Sequence, residues 1–238
     1  MTKVAVVGAS GYVGGALAQA IGRNPRMVVT AVTRANYTQM QENTFDILIN
    51  AAMPSKRFLA KTDPGRDFVE TVQKTADLLY RWRHRKFVQI STVSARCQLD
   101  TVYGRHKAAA ENLCGFAEHL IIRLGPMYSP ELDKGVLVDM LQGRKVYVAA
   151  ESRYCFAPLE FVSTWIATHL DRTGTVEVGA RNAVELREVA DHLGCRVEFE
   201  GAIDHQEIEN PEPNFPDARD VLRVLQPLGH RPQSSRTG

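Results

Sequence analysis

An apolar run that passes directly into a turn of spaced glycines, KVAVVGASGYVGG over residues 3–15, constrains this chain more than any other segment. Val4, Ala5, Val6 and Val7 read as a short buried strand, and Gly8, Gly11 and Gly14 follow in the spacing GxxGxxG as a helical pattern begins. Each glycine has a physical task. Gly8 takes a positive φ where the strand ends, Gly11 keeps a Cβ out of the path of an approaching pyrophosphate, and Gly14 lets the helix lie close to the sheet. A dinucleotide site is the leading expectation. A tight strand-to-helix turn with no ligand would use the same residues, so the three glycines alone do not decide it.

Short apolar runs recur at residues 28–32, 47–49, 87–90 and 120–122, as expected of strands buried on both faces. Helical patterns separate most of them. Phe68, Val69, Val72, Ala76, Leu79 and Tyr80 follow the i, i+3, i+4 spacing of a core-facing helix, and residues 108–116 continue a second helix after Tyr103. Strand, helix, strand in that order predicts a parallel sheet. Residues 35–45 are too few for the helix, strand and helix that a full dinucleotide-binding half would place there. The expected fold is therefore α/β, a Rossmann-like doubly wound parallel sheet lacking one outer strand.

After Arg123 the texture becomes loop-rich, with Gly125, Pro126, Pro130, Gly135, Gly143 and Pro158. Residues 1–125 are expected to form the dinucleotide-binding domain, and residues 126–230 a mixed region that completes the sheet and builds a small substrate lobe. Within that region residues 159–170 are apolar enough to return to the sheet, residues 176–178 read as a strand, and Val184, Leu186, Val189, Ala190 and Leu193 make an amphipathic helix stopped by Gly194. A short strand at residues 197–199 and a last helix at residues 217–225 follow, and residues 231–238 read as a disordered tail.

The formal charge of +2, well dispersed, argues against a nucleic-acid or membrane-surface partner. The basic cluster of residues 81–86 ends a helical pattern, where cations suit the helix dipole. Cys97, Cys114, Cys155 and Cys195 form no CxxC pair, which suits reduced thiols in a cytoplasm, and the histidines show no metal-ligand spacing. No apolar stretch has the length of a membrane span.

Tyr103 and Lys107 lie four apart in a helical pattern, so both side chains project from one face. An ammonium beside a phenol stabilises the tyrosinate, which makes Tyr103 a candidate general acid/base. Ser91 and Thr92 close the strand of residues 87–90 at the carboxyl edge of the sheet, where open α/β folds bind ligands, and a hydroxyl there can hold a substrate oxygen. A YxxxK pair also arises by chance on exposed helices. The order of glycine turn, hydroxyl-ended strand and Tyr/Lys helix is what favours catalysis.

With these motifs in place, the chain resembles the short-chain dehydrogenase/reductases, and more closely their extended branch, the NAD-dependent epimerase/dehydratase family. Residues 8–14 (GASGYVG) are similar to the branch's glycine motif with an aromatic before the last glycine, and residues 46–52 (DILINAA) to its strand that ends against the cofactor. Residues 90–92 (IST) and 103–111 (YGRHKAAAE) resemble its catalytic segments, and residues 123–128 (RLGPMY) its loop past the nicotinamide. The resemblance assigns Thr92, Tyr103 and Lys107 the catalytic roles, with Tyr103 and Lys107 also touching cofactor. It implies cofactor contacts at Gly8, Ser10, Gly11, Tyr12, Val13, Gly14, Asn50, Ala51 and Ala52. Substrate contacts would come from Thr92, Ser94 and Arg153, the last in a segment similar to the region where an arginine meets a sugar-nucleotide diphosphate.

The departures carry information too. Val93 and Ser94 stand where sugar-nucleotide dehydratases place an acidic pair, so dehydration lacks its usual acid and base. The missing strand removes the segment that usually carries an aspartate beside adenine, and the second region is shorter than most relatives use to enclose a nucleotide sugar. Cys97 lies near the active strand, as an acid for epimerisation or as a packed thiol. Val32, Thr33 and Arg34 end the second strand, where an acidic residue would select NAD. Arg34, with Ser10 or Thr33 as hydroxyl donors, instead favours NADP through a charge-assisted contact. The expected activity is hydride transfer at a carbonyl or secondary alcohol of a sugar or sugar-nucleotide, as ketoreductase or epimerase. The alternative is a redox-sensing regulator that binds NADP(H) without turnover; by analogy with the family's relatives, a homodimer is expected.

Overall fold

The computed structural model describes residues 1–116, 118–194 and 196–225; the expected tail at residues 231–238 and Cys195 lie outside them. The chain enters through β1 (Thr2–Val7), α1 (Tyr12–Gly22), β2 (Met27–Val32), the short α2 (Tyr37–Gln41) and β3 (Thr44–Asn50). Next come α3 (Arg57–Thr62), α4 (Pro64–Phe68), a π-helical turn (Val69–Gln73), α5 (Lys74–Arg81) and β4 (Arg83–Thr92). The Tyr/Lys pattern occupies α7 (Val102–Asn112), preceded by the turn of α6 (Ser94–Cys97) and followed by β5 (His119–Leu124).

Six strands form one parallel sheet in the order β2-β1-β3-β4-β5-β9, where β9 is Gly174–Val178. β2 is the outermost strand on its side, because residues 35–45 hold only α2 before the chain returns to β3. The expected missing strand is thus absent. Alternation along the strands sends Val4, Val6, Ile47, Ile49, Val88, Ile90, Leu120 and Ile122 to one face, where they meet Leu17 and Ile21 of α1. Residues 159–170 return to that face as α9 (Leu159–Thr168), burying Val162, Trp165 and Ile166. The opposite face buries Ala5, Val7, Leu48, Phe87 and Ile121 under Leu78, Trp82 and Cys114. Each fully buried Leu or Ile stabilises the fold by about 1.5–3 kcal/mol, so two such faces account for a six-stranded sheet with no disulfide among the described residues.

The remaining elements are β6 (Met127–Tyr128), α8 (Val136–Leu141), β7 (Arg153–Tyr154), β8 (Ala157–Pro158), β10 (Val184–Glu185), α10 (Leu186–Leu193) and α11 (Asp220–Val224). They gather a core of their own from Tyr128, Met140, Tyr154, Phe156, Leu186 and Leu193. Gly194 closes α10 in the left-handed conformation (φ 64°), as its sequence position predicts. Two expectations need correction. Residues 197–199 contribute only a single bridge, Val146 to Phe199, instead of a strand. The helix of residues 68–80 turns a different face inward: Asp67, Thr71, Thr75 and Leu78 are buried, whereas Phe68, Val69 and Tyr80 are exposed. The buried stripe is rotated by one residue from the apolar one, because this helix packs on α7 through polar groups.

Candidate active site

Backbone crowding dictates the glycine turn. Gly8 adopts φ 90°, and a Cβ there would fall 2.6 Å from the Ala51 carbonyl oxygen and 2.8 Å from the Ala52 Cα. A Cβ on Gly14 would lie 2.7 Å from the Gly8 carbonyl carbon, so the start of α1 rests directly on the turn. Gly11 donates its N–H to the Gly8 carbonyl at 2.9 Å and is the N-cap of α1, an 11-residue helix whose N-terminus no side chain caps. Ser10 and Gly11 are exposed there, Val13 is half-buried, and the Tyr12 phenol reaches 3.1 Å to the Ser129 hydroxyl across the groove. An uncapped helix N-terminus with open backbone N–H groups fits an anionic phosphate. At the end of β2, Thr33 bonds Asn36 through its N–H and hydroxyl, while exposed Arg34 has no ion pair among the described residues. That free guanidinium fits a further phosphate.

Ala51 and Ala52 form the wall facing Gly8, and Asn50 stands behind them. Its side chain is wholly buried: the amide nitrogen donates to Thr75 Oγ1 (3.1 Å) and Gln89 Oε1 (3.0 Å), and its oxygen accepts from the Ala52 N–H (3.1 Å). Asn50 therefore fixes the wall from beneath through its side chain.

Thr92 ends β4, with its hydroxyl accepting from the Ser94 N–H at 3.3 Å. The turn of α6 brings the chain round, and Thr101 caps α7 by accepting from the Gly104 N–H at 3.0 Å. Gly104 is required by contact: a Cβ would lie 2.6 Å from the Gln98 carbonyl carbon and 2.7 Å from the Ser94 oxygen. That closeness sets Tyr103 beside Thr92. Burial pushes the Tyr103 phenol up to about 12; the charge of Arg57 and hydrogen bonding from Thr92 pull it down, and Asp67 pushes it up. The Lys107 Nζ stands 5.1 Å from the Tyr103 ring centre and donates to the Pro54 carbonyl at 2.7 Å. Its own burial presses its pKa down to about 7, against the opposing charge of Asp67.

Around this pair the structure adds groups that sequence reasoning missed. Arg57 Nη1 meets Asp204 Oδ2 at 2.5 Å and Nη2 reaches the Ser94 hydroxyl at 3.3 Å. Asp204 is nearly buried, and it also accepts from Tyr154 OH (2.8 Å), Gln98 Nε2 (2.7 Å) and Gln206 Nε2 (2.6 Å). With both oxygens occupied, Asp204 is an anchor for Arg57 rather than a free base. Ser94 is buried in the same cluster and donates to Gln206 Oε1 at 3.2 Å. Cys97 lies at its edge, 3.6 Å from Gln206 Nε2, its thiol pushed up by burial. Arg153 does not join: the alternation of β7 turns Tyr154 inward and leaves Arg153 half-exposed, paired with Glu207 at 3.4 Å. The signal for Arg57 is faint, a single arginine after the Ala51-Ala52 wall, and its partner lies 147 residues away.

No protein-family model and no curated protein matches this sequence. Solved structures do share its architecture. A UDP-galactose 4-epimerase aligns with a TM-score of 0.72 at 19% identity, over 95% of this chain and 98% of that one. An NAD-dependent NDP-hexosamine 5,6-dehydratase involved in tunicamycin biosynthesis gives 0.75 at 16% identity, over 94% and 96%. A dTDP-4-dehydrorhamnose reductase from Bacillus anthracis str. Ames, in complex with NADP, gives 0.72 at 16%, over 94% and 98%. The fold is therefore the Rossmann-like α/β fold of these enzymes, while activity is a property of the site residues.

Proposed function

We propose that this chain is a nicotinamide-dependent oxidoreductase of the extended short-chain dehydrogenase type, acting on a carbonyl or secondary alcohol of a sugar or sugar-nucleotide. The observation that carries the reading is the meeting of Thr92, Tyr103 and Lys107 on the same edge of the sheet as an uncapped, glycine-lined helix N-terminus. The solved structures of this fold that act on sugar nucleotides support the substrate class.

Gly8, Ser10, Gly11, Tyr12, Val13 and Gly14 would hold the pyrophosphate, Ala51 and Ala52 would wall the groove, and Tyr103 and Lys107 would meet the nicotinamide end. Thr33 and Arg34 would take a 2′-phosphate, which makes NADP the preferred cofactor and NAD the lesser one. Bound nicotinamide would supply or accept the hydride. Tyr103 exchanges the proton with the substrate oxygen, Thr92 orients that oxygen, and Lys107 in its charged form favours the phenolate. Arg57, fixed by Asp204, adds positive charge next to the same phenol, and Ser94 holds Arg57 in place. A substrate would rest against residues 126–230, the lobe we assign beyond the dinucleotide-binding part at residues 1–125. Arg153 is retained as a rim contact. The exposed Phe68, Val69 and Tyr80 suit a homodimer contact, and the free thiols of Cys97, Cys114 and Cys155 suit a reducing cytoplasm.

The test is titration with NADPH and NADH by fluorescence, followed by NADPH consumption on keto-sugar nucleotides and simple ketones. NADPH binding, turnover on a member of that set, and loss of turnover with retained binding in Tyr103→Phe are expected. Binding with no turnover on any carbonyl would replace the enzyme with a redox-sensing regulator.

A further inference from the structure

One guanidinium is fixed beside the candidate acid/base group with its donors only partly used. Arg57 opens α3, and the segment that delivers it is pinned to α7, where the Pro54 carbonyl accepts from Lys107 Nζ at 2.7 Å. On one side Nη1 meets Asp204 Oδ2 at 2.5 Å. Asp204 also accepts from Tyr154, Gln98 and Gln206, which hold its carboxylate facing the interior. On the other side Nη2 donates to the Ser94 hydroxyl at 3.3 Å, and that hydroxyl accepts from Thr92 Oγ1 at 3.4 Å. The guanidinium therefore stands within two hydrogen-bond lengths of the hydroxyl assigned to the substrate oxygen.

The ion pair is lopsided in exposure: the Asp204 side chain is 8% exposed and the Arg57 side chain 40%. What solvent meets is the cation, with its counter-charge behind it. A guanidinium carries five N–H donors in one plane; Asp204 and Ser94 engage Nη1 and Nη2, and Nε has no partner among the described residues. The turn after Thr92 brings Val93 and Ser94, so it adds no acidic side chain to compete for those donors. An arginine held rigid before any ligand arrives, with donors left open, is an anion receptor, and a carboxylate matches its fork with two parallel bonds.

We propose that Arg57 selects an acidic substrate, a carbonyl compound that carries a carboxylate one or two carbons from the reacting carbonyl, as in a keto acid or a keto-uronic acid. The spacing sets this class. A molecule that rests its carbonyl oxygen on Thr92 and Tyr103 and its anion on Arg57 has only the short gap bridged by Ser94 to span. In the reaction the carbonyl carbon gains hydride as NADPH is oxidised, its oxygen gains the Tyr103 proton, and the carboxylate stays intact, so the product is a hydroxy acid. The inference rests on the oxidoreductase reading and narrows its substrate.

The test sets matched pairs against the full-length protein: keto acids against their primary amides, and uronic acids against the corresponding neutral hexoses, free and nucleotide-linked. Affinity is read by calorimetry on the Tyr103→Phe protein with and without NADPH, and kcat/KM on the keto compounds by NADPH consumption with wild type. The acidic member of a pair is expected to bind and react better by roughly tenfold or more. Arg57 also acts on Tyr103, so its variants are judged by the acidic-to-neutral ratio, in which a change in the phenol cancels. Arg57→Met is expected to bring that ratio to about one. That variant strands Asp204 as a buried charge, so Arg57→Lys, which keeps the charge and loses the fork, stands in where it does not fold and should lower the ratio by roughly threefold or more. A wild type that binds acidic and neutral members equally, or binds no acidic member, overturns the proposal, and so does an unchanged ratio in whichever variant folds. Preference for acids in binding with no NADPH consumption would sink the oxidoreductase reading alone, and turnover confined to neutral carbonyls would sink acid selection alone.

Discussion

Gly104→Ala tests how the candidate active site is assembled. A methyl group at this position would meet backbone at 2.6 Å and 2.7 Å, on Gln98 and Ser94, and neither atom can swing away as a side chain would. The Gln98 carbonyl oxygen is closer still, so reaching ordinary contact at 3.4 Å requires α7 to retreat from α6 by more than about 1 Å, and overpacking of this kind costs about 1–3 kcal/mol. Alanine recovers about 1 kcal/mol through its higher helix propensity, which leaves a net loss of up to roughly 2 kcal/mol. The retreat carries Tyr103 away from Thr92, and a misplacement of about 1 Å in catalytic geometry lowers turnover by about 100-fold. Urea unfolding monitored by circular dichroism measures the first effect, and NADPH consumption on an accepted carbonyl measures the second. Gly22→Ala is the control, since a Cβ there meets nothing within 4 Å, and it should be neutral or stabilising by up to about 1 kcal/mol. A Gly104→Ala protein as stable and as active as wild type would refute the claim that contact between α6 and α7 sets the tyrosine.

Two further predictions concern charge. Arg34→Asp should weaken NADPH far more than NADH in fluorescence titration, because it replaces a free guanidinium at the end of β2 with a group that repels a phosphate and accepts from a ribose hydroxyl; equal loss for both removes the phosphate role. Lys107→Met should abolish turnover yet stabilise the cofactor-free protein by roughly 2 kcal/mol below pH about 7, because it removes a buried ammonium. Between pH about 7 and 10.5 the unfolded chain holds the lysine proton that the folded chain has released, so wild-type stability rises with pH across that window and the advantage of methionine fades above it. Urea unfolding at pH 6 and pH 10 checks the sign, and a variant less stable at both refutes it.

Much of the fold was legible because burial on both faces of a sheet leaves continuous apolar runs, and the absent outer strand followed from counting residues 35–45. Gly8, Gly14, Thr92, Tyr103 and Lys107 were legible because backbone crowding and helical spacing are local. What escaped was nonlocal or polar. Hydrophobic periodicity selects Phe68 and Val72, and it is blind to a face such as Asp67, Thr71 and Thr75 whose burial is fixed by partners on another helix. Arg57 and Asp204 meet only after the C-terminal region folds back over α3, and a sequence does not show that the Asn50 amide will bond Thr75 and Gln89.

With β2 outermost, six residues reading MVVTAV present a backbone margin with no neighbouring strand, and Val28 leaves nearly half its surface in water. Such a margin is a template on which another chain can stack. Arg26 and Arg34 bracket it at either end, so two copies approaching edge to edge bring like charges together. The arginine assigned to a phosphate thus doubles as a guard against self-association, and neutralising both brackets would turn the shortened sheet into an aggregation seed.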